Sequence, residues 1–441
     1  MSYFDILKND PSSAARNGVI HTAHGDVHTP AFLPIGTRGT VKSVTSEELK
    51  FWGAEMILAN TYHLWQRPGD GLIYKAGGLH QFMNWKGPIF TDSGGFQVQS
   101  LAKFKKVMEA GVLFNFDLDG KQEILSPEKS IQIQANLGSD IALILDDFSG
   151  VPFEFEQSKI STELTNRWAE RAIREHLNIM KHGDPINPGQ KLWGIVQGSN
   201  FQDLRKISAQ AMANFGFEGF AIGGVATVDE PFEEMMKAVE WSIAHLPEQK
   251  PKHLLGVGTP YDIVQAVARG CDTLDCVIPT REARHGRLYI AAKNIKLPLT
   301  PSLSAFTEAS ADLREKEGGT AQRSAERQSK TPPLFSKERE GVSSAEGYAT
   351  IDIRLEKYKE DFTTIDNTCD CYLCLNHTRA YLRHLFATGE QLGTRLATMH
   401  NLRFYLNLMK KIRTAIEYEY FDEMAANYKD YTDAVPSEVE G

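Results

Sequence analysis

The sequence predicts an α/β protein, a (β/α)8 barrel of the TIM type with a small zinc-binding subdomain. Eight short apolar runs end in Gly, Asn, Asp or Gln, and stretches with helical spacing separate them. Alternating strands and helices predict a parallel sheet, and eight such units over roughly 250 residues predict a closed barrel. Three cysteines that lie within six residues, beyond the last unit, indicate the metal site.

The eight runs are the expected barrel strands, and six stretches between them are the expected helices. The strands are predicted at residues 31–36, 56–60, 89–92, 141–146, 192–197, 219–223, 253–256 and 273–278. The helices are predicted at residues 46–52, 126–137, 161–176, 201–214, 231–244 and 261–268. Several of them open on Ser or Thr, and Ser126-Pro127-Glu128 also has proline at the first helical position.

Residues 1–30 are expected to form hairpins that precede the barrel. Asn17-Gly18 and His24-Gly25-Asp26 lie between short alternating runs, a pattern that is typical of hairpin turns. His21 and His28 flank the second of these turns, so that three histidines could form a metal cluster. Their even spacing within polar turns instead favours surface positions on a hairpin.

The composition narrows the class of protein. No apolar run reaches the roughly 18 residues that a membrane span needs, and residues 1–5 lack the pattern of a secretory signal. We therefore expect a cytoplasmic protein without a membrane partner. Five cysteines in 441 residues do not suggest a disulfide scaffold. The formal net charge of −9 gives no general support for a nucleic-acid partner, which must rest on local patches.

The strand ends hold the residues that we expect to do chemistry, because the C-terminal ends of barrel strands form the active site. Three runs end at or beside Asp92, Asp146-Asp147 and Asp275, which brings carboxylates to one mouth. Other runs end at Gln197, Gly223-Gly224 and Gly256. A lone Asp-Ser-Gly-Gly turn such as residues 92–95 would be interpreted as a solvated turn. Acids at the ends of three separate runs favour a catalytic mouth.

A basic strip, residues 281–296, follows the last barrel strand directly. It holds five Lys or Arg residues and one acid, a local net charge of +4. A solvated basic face and a phosphate-binding face are both possible interpretations. The position behind a carboxylate-lined mouth supports the second interpretation at least as well.

The domain organisation follows from where these patterns stop. We expect hairpins at residues 1–30, the barrel at 31–296, an insertion at 297–350, the zinc-binding subdomain at 351–425 and an acidic tail at 426–441. The insertion has no sustained periodicity and almost balanced charge, with seven Lys or Arg and eight Asp or Glu residues. We expect it to be mostly disordered, with a helical turn near Leu313.

Cys369, Cys371 and Cys374 predict a tetrahedral zinc site that needs one more ligand. His377 could complete a compact knuckle. His400 opens an amphipathic helix whose packing could return it to the cysteines, and His384 also competes. Spacing alone does not separate His377 from His400.

Taken together, these motifs resemble the tRNA-guanine transglycosylase family in its bacterial form. The similarity extends from the N-terminus to about Ile416 and omits the insertion. It rests on Thr91-Asp92-Ser93-Gly94-Gly95-Phe96-Gln97, Val196-Gln197-Gly198, Ala221-Ile222-Gly223-Gly224, Gly256-Val257-Gly258-Thr259-Pro260, Leu274-Asp275-Cys276-Val277-Ile278-Pro279-Thr280-Arg281 and the three cysteines.

The resemblance implies a reaction and a set of roles. The family exchanges guanine at the anticodon wobble position of tRNA for a 7-deazaguanine precursor of queuosine, and its barrel is irregular and carries a zinc subdomain. Asp275 is then the nucleophile and Asp92 the general acid and base. The implied base-binding residues are Asp92, Ser93, Gly94, Gly95, Phe96, Asp146, Gln197, Gly223 and Gly224. The implied RNA-binding residues are Gly256, Val257, Gly258, Thr259, Pro260, Tyr261, Asp262, Thr280, Arg281, Glu282, Ala283 and Arg284.

The resemblance also implies one structural Zn²⁺ with His400 as the fourth ligand, a homodimer and no nucleotide cofactor. The chemistry agrees with the residues, because exchange with the RNA backbone intact requires a covalently held ribose, as in a retaining glycosidase. A second acid must then protonate the leaving guanine and deprotonate the incoming base.

Some residues depart from the usual family pattern. Phe148 follows Asp146-Asp147 where family members commonly have a small residue, and Val225 and Thr227 replace the usual Leu and Val. We expect 7-aminomethyl-7-deazaguanine as the incoming base, with queuine as the alternative. Two other classes are an inactive partner subunit, which the presence of both Asp92 and Asp275 disfavours, and a metal-dependent hydrolase. The hydrolase would need histidine ligands at the strand ends, where the sequence predicts none.

Overall fold

The computed structural model describes residues 2–101, 104–116, 120–148, 150, 153–225, 231–292 and 347–430. The strands are β1 Phe4–Asn9, β2 Arg16–Thr22, β3 Gly25–Thr29, β4 Ala31–Leu33, β5 Ile57–Ala59, β6 Ile89–Thr91, β7 Lys105–Met108, β8 Gly111–Asn115, β9 Gln122–Leu125, β10 Ile141–Leu143, β11 Lys191–Val196, β12 Phe220–Ile222, β13 Lys252–Leu254, β14 Thr273–Asp275, β15 Arg287–Ala291, β16 Gly347–Asp352 and β17 Lys429–Asp430. The helices are α1 Ser46–Phe51, α2 Thr61–Gln66, α3 Asp70–Lys75, α4 Leu79–Phe82, α5 Gly95–Leu101, α6 Pro127–Leu137, α7 Phe155–His182, α8 Gln202–Asn214, α9 Phe232–Ile243, α10 Pro260–Ala268, α11 Ile278–Arg284, α12 Tyr372–Asn376, α13 Arg379–Ala387, α14 Gln391–Glu417 and α15 Phe421–Asn427.

Eight parallel strands form the barrel in the order β4-β14-β13-β12-β11-β10-β6-β5. A parallel bridge between Ile35 and Leu58 closes the ring, and Leu58 N–H donates to Pro34 O at 3.0 Å. All eight strands overlap the predicted runs, although β11 and β13 begin one residue earlier, so the predicted fold class is confirmed. Their residues are almost all buried, as expected for parallel strands that pack on both faces.

The predicted helices are also present, and their ends follow the expected capping chemistry. Ser126 Oγ accepts the N–H of Lys129 and Pro127 opens helix α6. Thr259 and Asp262 form a reciprocal capping box at the start of α10. Helix α7 is longer than the predicted 161–176, because its amphipathic pattern continues over 28 residues.

The N-terminal residues form the antiparallel sheet β1-β2-β3, but one predicted turn is wrong. Asn17-Gly18 lies inside β2, where Gly18 pairs with Ile6 and Thr29. A Cβ at Gly18 would come within 2.6 Å of the Phe4 ring, so glycine is needed here for packing and not for a turn. The turn between β2 and β3 is formed by residues 23–24, so it includes His24 of the predicted turn, whereas Gly25 and Asp26 already belong to β3.

The three N-terminal histidines do not converge on one another. His21 lies between Asp5 and Asp26, and His28 contacts Glu55. His24 is hydrogen-bonded to Asp140 at 2.8 Å and so attaches the hairpin to the end of the barrel where β10 begins.

Two further sheets accompany the barrel, one antiparallel and one mixed. Strands β7-β8-β9 form a sheet between α5 and α6 that the sequence did not predict. Strands β15 and β16 pair directly, with Ala291 opposite Tyr348, and β17 joins β16. Residues 347–350, which we had assigned to the insertion, therefore belong to a strand. Residues 293–346, including Leu313, lie outside the described residues.

Helix α14 connects the region of the three cysteines to the barrel. Leu396 and Leu402 pack in a cluster that includes the cysteines, whereas Tyr405 and Ile412 pack against residues of β14 and α10. Within the part of the chain that the structure describes, no helix is both long and apolar enough to cross a membrane.

Candidate active site and metal centre

Asp92 lies just beyond β6, and four donors surround its carboxylate. The peptide N–H groups of Thr61 and Gly94 donate to Oδ1 at 2.9 and 3.2 Å. The side-chain amides of Asn60 and Gln97 donate to Oδ2, Gln97 at 3.0 Å. Gly94 has φ +83°, a left-handed conformation that favours glycine and lets the chain turn beneath the carboxylate.

The environment of Asp92 brings the pKa of its carboxyl group close to neutral pH. Burial raises its pKa from 3.8 to about 6 against the effect of these donors, and the charge of Asp275 raises it further. A carboxyl group with such a pKa is present in both protonation states at working pH, as a general acid and base requires.

Asp146 lies beyond β10 and forms the second acidic position. Gln197 Nε2 donates to its Oδ2 at 2.6 Å, and Ser93 Oγ donates to Oδ1 at 3.3 Å. Burial raises the pKa of Asp146 to about 6. A Cβ on Gly223 would lie 2.8 Å from Gln197 Nε2 and 3.6 Å from Asp146 Oδ2, so glycine leaves the space beside this pair open.

Arg205 sets the backbone orientation of Gly223-Gly224. This fully buried side chain donates to Gly223 O at 2.7 Å and to Gly224 O at 3.0 Å. In a trans peptide the N–H points away from the preceding carbonyl. The Gly224 N–H therefore points away from Arg205, whereas the Gly223 N–H is already donated to Val196 O.

Asp275 ends strand β14 and is held through one oxygen. Its Oδ1 lies 3.1 Å from His253 Nε2 and accepts the Gly256 N–H at 3.1 Å. Its other oxygen, Oδ2, has no hydrogen bond to any residue within the described ranges. Asp92 and Asp275 both lie at the C-terminal ends of strands in one parallel barrel, so the two carboxyl groups share the mouth.

Beyond these side chains, the Phe148 loop lines a cavity of about 550 Å³. Phe96 and Gly150 also line it, as does the buried Asp147. Phe96 is 60% exposed, so its side chain is free to meet a ligand. Val225 is buried at the end of the Gly-Gly segment, while Thr227 lies outside the described residues.

The predicted RNA-binding residues differ in how much they are exposed. In the first segment only Gly256 is fully exposed; Val257, Gly258 and Pro260 are buried, and Tyr261 packs against Phe232. The other members of the segment, Thr259 and Asp262, cap α10.

In helix α11 the structure turns Arg281 outward, while Thr280 and Ala283 are buried. Glu282 and Arg284 are partly exposed. The positive charge of Arg284, together with burial and Arg38, lowers the pKa of Lys42. The basic strip therefore adjoins two cations that the sequence analysis did not single out. Lys293 and Lys296 of the strip lie outside the described residues.

The metal-ligating cluster consists of Cys369, Cys371, Cys374 and His400, whose ligand atoms all lie within 4.8 Å of one another. His400 Nδ1 lies 3.5 Å from Cys371 Sγ and 3.3 Å from Cys374 Sγ. His400 Nε2 is 2.6 Å from Tyr289 O and donates to it, which leaves the Nδ1 lone pair directed at the sulfurs. The group fits a tetrahedral cation.

The competing histidines lie elsewhere. His377 stacks on Tyr381 with ring centroids 4.8 Å apart, and His384 is on helix α13. Asn401, which follows His400, donates to Pro279 O and Arg287 O at 3.0 Å. The metal-binding helix is thereby tied to the segment behind Asp275.

The sequence analysis missed three kinds of contact. Asn60 and Thr61 donate to Asp92 from the end of the neighbouring strand. They could have been found from the sequence, because two polar residues stand together where the second run ends. Arg205 was hidden as one cation on an amphipathic helix. His253 opens the predicted run 253–256, and the sequence analysis considered only the ends of the runs, yet its side chain reaches Asp275.

Comparisons with known proteins show the family of the chain. Residues 10–433 match the family model described as queuine tRNA-ribosyltransferase. The chain is 41% identical over 414 residues to the queuine tRNA-ribosyltransferase of Psychrobacter cryohalolentis, which covers 94% of this chain and 93% of that protein. It is 41% identical over 429 residues to the one from Halothermothrix orenii, which covers 96% and 97%.

A third relative, from Mannheimia succiniciproducens, has the same name and is 42% identical over 421 residues, 95% of this chain and 94% of that protein. The resemblance that the motifs suggested is therefore confirmed. The chain is an enzyme of the queuine tRNA-ribosyltransferase family, the tRNA-guanine transglycosylases.

Proposed function

We propose that this enzyme exchanges guanine at the wobble position of tRNA for a 7-deazaguanine through a covalent Asp275–ribose intermediate. The observation that carries the proposal is the pair of unlike carboxyl groups in one mouth. Asp275 presents an oxygen without a hydrogen-bond partner among the described residues, and Asp92 has a pKa of about 6. These are the states that a nucleophile and an acid–base group need.

In the first step, an electron pair of Asp275 Oδ2 forms a bond to ribose C1′ as the C1′–N bond to guanine breaks. The pair of the broken bond stays on guanine, which takes a proton from Asp92. In the second step the incoming base loses a proton to Asp92 and attacks C1′, and the Asp275–C1′ bond breaks with its pair returning to the carboxylate. Protons and electrons balance over the exchange.

The base would be bound between Asp146, Gln197 and the Gly223-Gly224 backbone. A guanine-like base carries N–H donors beside a carbonyl acceptor along one edge. The Asp146 carboxylate suits the donors, and the Gly224 N–H, which points away from Arg205, suits the acceptor. Ser93 supports this arrangement through its bond to Asp146.

The tRNA would lie over the basic strip and its neighbours. Arg281 and Arg284, with Arg38 and Lys42, offer cations beside the mouth for phosphates that flank the wobble nucleotide. The exposed Gly256 allows the RNA backbone to approach closely. The buried residues of these segments, such as Val257 and Ala283, would act by shaping the surface.

The cation of the Cys369, Cys371, Cys374 and His400 cluster is proposed to be one structural Zn²⁺. Three sulfurs and one imidazole form a closed tetrahedral set, which leaves no position for substrate. When bound, the ion would fix α14 and, through Asn401, the segment that carries the basic strip. No step of the exchange involves it. On the family resemblance we also propose a cytoplasmic homodimer.

We propose 7-aminomethyl-7-deazaguanine as the preferred incoming base. A specific observation favours queuine as the second candidate, because the cavity beside Phe148 and Gly150 offers room for a larger substituent. A pocket wall that mismatches one substrate costs about 1–3 kcal/mol, hence roughly 10–200-fold in kcat/KM. We expect that margin in favour of the aminomethyl base when both bases compete for guanine-labelled tRNA, and a preference for queuine would reverse the assignment.

The nucleophile is tested with Asp275→Asn, whose amide cannot form the ribosyl ester. The wild-type enzyme should give a denaturant-stable adduct with tRNA, and the variant should give none and no exchange. Asp92→Asn is the comparison variant, because it retains the nucleophile and lacks only the proton that the leaving guanine takes. It should therefore form the adduct slowly, whereas Asp275→Asn should form none. Undiminished adduct with Asp275→Asn would overturn the mechanism.

A further inference from the structure

We propose that His253 is a positioning residue that orients the Asp275 carboxylate and promotes release of the ribose from it. The inference rests on the proposed role of Asp275 as nucleophile and extends it. It concerns the side of Asp275 that faces the inside of the barrel, away from the substrate.

His253 lies on β13, next to β14, and is completely buried. Its ring is held from three directions. Nε2 lies 3.1 Å from Asp275 Oδ1, Nδ1 lies 2.9 Å from Thr273 Oγ1, and the ring packs on Phe90 with centroids 4.6 Å apart. Because Thr273 and Asp275 are two residues apart on one strand, their side chains lie on the same face and reach the same ring.

These contacts decide the direction of the hydrogen bond. An ionised carboxylate only accepts, so Nε2 must carry the hydrogen that it donates to Asp275 Oδ1. In the neutral ring, Nδ1 then accepts the hydroxyl hydrogen of Thr273. With the Gly256 N–H also donated to Oδ1, both protein donors bind the same oxygen and Oδ2 is left to attack C1′.

The two donors bind the carboxylate more strongly than the ester. A hydrogen bond to an ionised acceptor is roughly twice as strong as one to a neutral acceptor. When Oδ2 is bonded to C1′, Oδ1 is a neutral ester carbonyl, and its negative charge returns as the C1′–Oδ2 bond breaks. His253 therefore favours breakdown of the covalent intermediate, and losing it should make the intermediate persist.

The test uses three variants that differ in where they place a donor. His253→Phe retains the ring and removes both nitrogens. His253→Gln places an amide N–H near the position of Nε2, whereas His253→Asn has the shorter amide that reaches only the position of Nδ1. The adduct is first formed with tRNA and then chased with an excess of 7-aminomethyl-7-deazaguanine, and the rate of its loss is measured together with steady-state kcat and KM.

We expect the chase rate and kcat to fall roughly 5–10-fold in His253→Phe and His253→Asn, the difference between a hydrogen bond to a charged acceptor and one to a neutral acceptor. The adduct present at steady state should increase, and the KM for tRNA should change little. His253→Gln should recover most of the rate. A packing role alone would lower activity and adduct together.

Two outcomes would overturn the inference. One is a chase rate in His253→Phe within about twofold of wild type, and the other is equal chase rates for His253→Gln and His253→Asn. If His253→Phe does not fold, the Gln and Asn pair still decides the question. Failure of the proposed function is distinguishable, because only then would Asp275→Asn still form the adduct.

Discussion

Replacing Arg205 with methionine tests whether a buried cation shapes the base pocket. Arg205 is fully buried and donates to the carbonyls of Val196 (3.2 Å), Ser199 (2.7 Å), Gly223 (2.7 Å) and Gly224 (3.0 Å). Methionine has a similar length and no donor. The variant leaves these carbonyls without their cationic donor, and the Gly-Gly peptides become free to rotate.

The magnitude follows from these contacts. A buried carbonyl that loses its donor and finds no other costs about 1–3 kcal/mol of unfolding free energy, so the variant should be clearly less stable than wild type. In addition, rotation of the Gly223 carbonyl displaces the Gly224 N–H that we assign to the base. Loss of one such hydrogen bond is worth about 1.5–3 kcal/mol, so the KM for the base should rise roughly 10–100-fold.

The assay is steady-state exchange with varied base at saturating tRNA, together with thermal melting. Lys206→Met is the matched control, because Lys206 is an exposed cation at the next position of the same helix. It should leave both quantities close to wild type. If Arg205→Met has the same melting point as Lys206→Met and a base KM within about twofold of it, Arg205 does not set the pocket and the reasoning is refuted.

Further predictions concern the metal, the insertion and the pH dependence. His400→Ala should lose zinc and stability, since Nδ1 faces the sulfurs, whereas His377→Ala should retain full metal content; the opposite result would make His377 the ligand. Replacing residues 293–346 with Asn-Gly should leave the exchange activity within a few-fold of wild type. The reason is that Ala292 N–H donates to Gly347 O at 3.1 Å, so the residues that flank the segment are already in contact. Loss of folding would show that the segment packs. The Asp92 pKa of about 6 predicts opposite pH dependences for the two steps. Single-turnover guanine release should slow as pH rises through 6, whereas attack by the incoming base should slow as pH falls through 6. If both rates respond to pH in the same direction, Asp92 does not serve as both acid and base. Burial raises the pKa of Asp146 from 3.8 to about 6, so the native state binds this proton more tightly than the unfolded state does. The stability that the proton contributes is therefore lost as pH rises through 6. Melting points at pH 5 and pH 8 should lie closer together in Asp146→Asn than in wild type.

The barrel could be predicted because its signal is local. Each barrel strand is buried on both faces and is therefore a short apolar run. Each run ends in Gly or polar residues, because the chain there reaches the C-terminal end of the barrel. Asp92, Asp146 and Asp275 were found for that reason. The β7-β8-β9 sheet was not predicted, because its short strands lie between α5 and α6 and the alternation of barrel strands and helices continues on both sides of them.

The metal ligands illustrate where local information ends. Three sulfurs within six residues are enough to predict a tetrahedral cation, because the chain has few other uses for such spacing. The fourth ligand is 26 residues beyond Cys374 on a long helix, and spacing left it open between His377 and His400. Packing of α14 brings His400 Nδ1 to the sulfurs, while an aromatic stack holds His377 away.

By itself, then, the sequence determined the strand order along the chain, the acids at the mouth and the family resemblance. Only the tertiary structure decided which residues surround each acid. Asn60 reaches Asp92 from another strand, Arg205 reaches Gly223 from a helix, and His253 reaches Asp275 from the adjacent strand. The protonation state and orientation of each acid depend on such neighbours. Barrel closure brings these residues together although they are far apart in the sequence, and no periodicity in the sequence indicates which of them will meet.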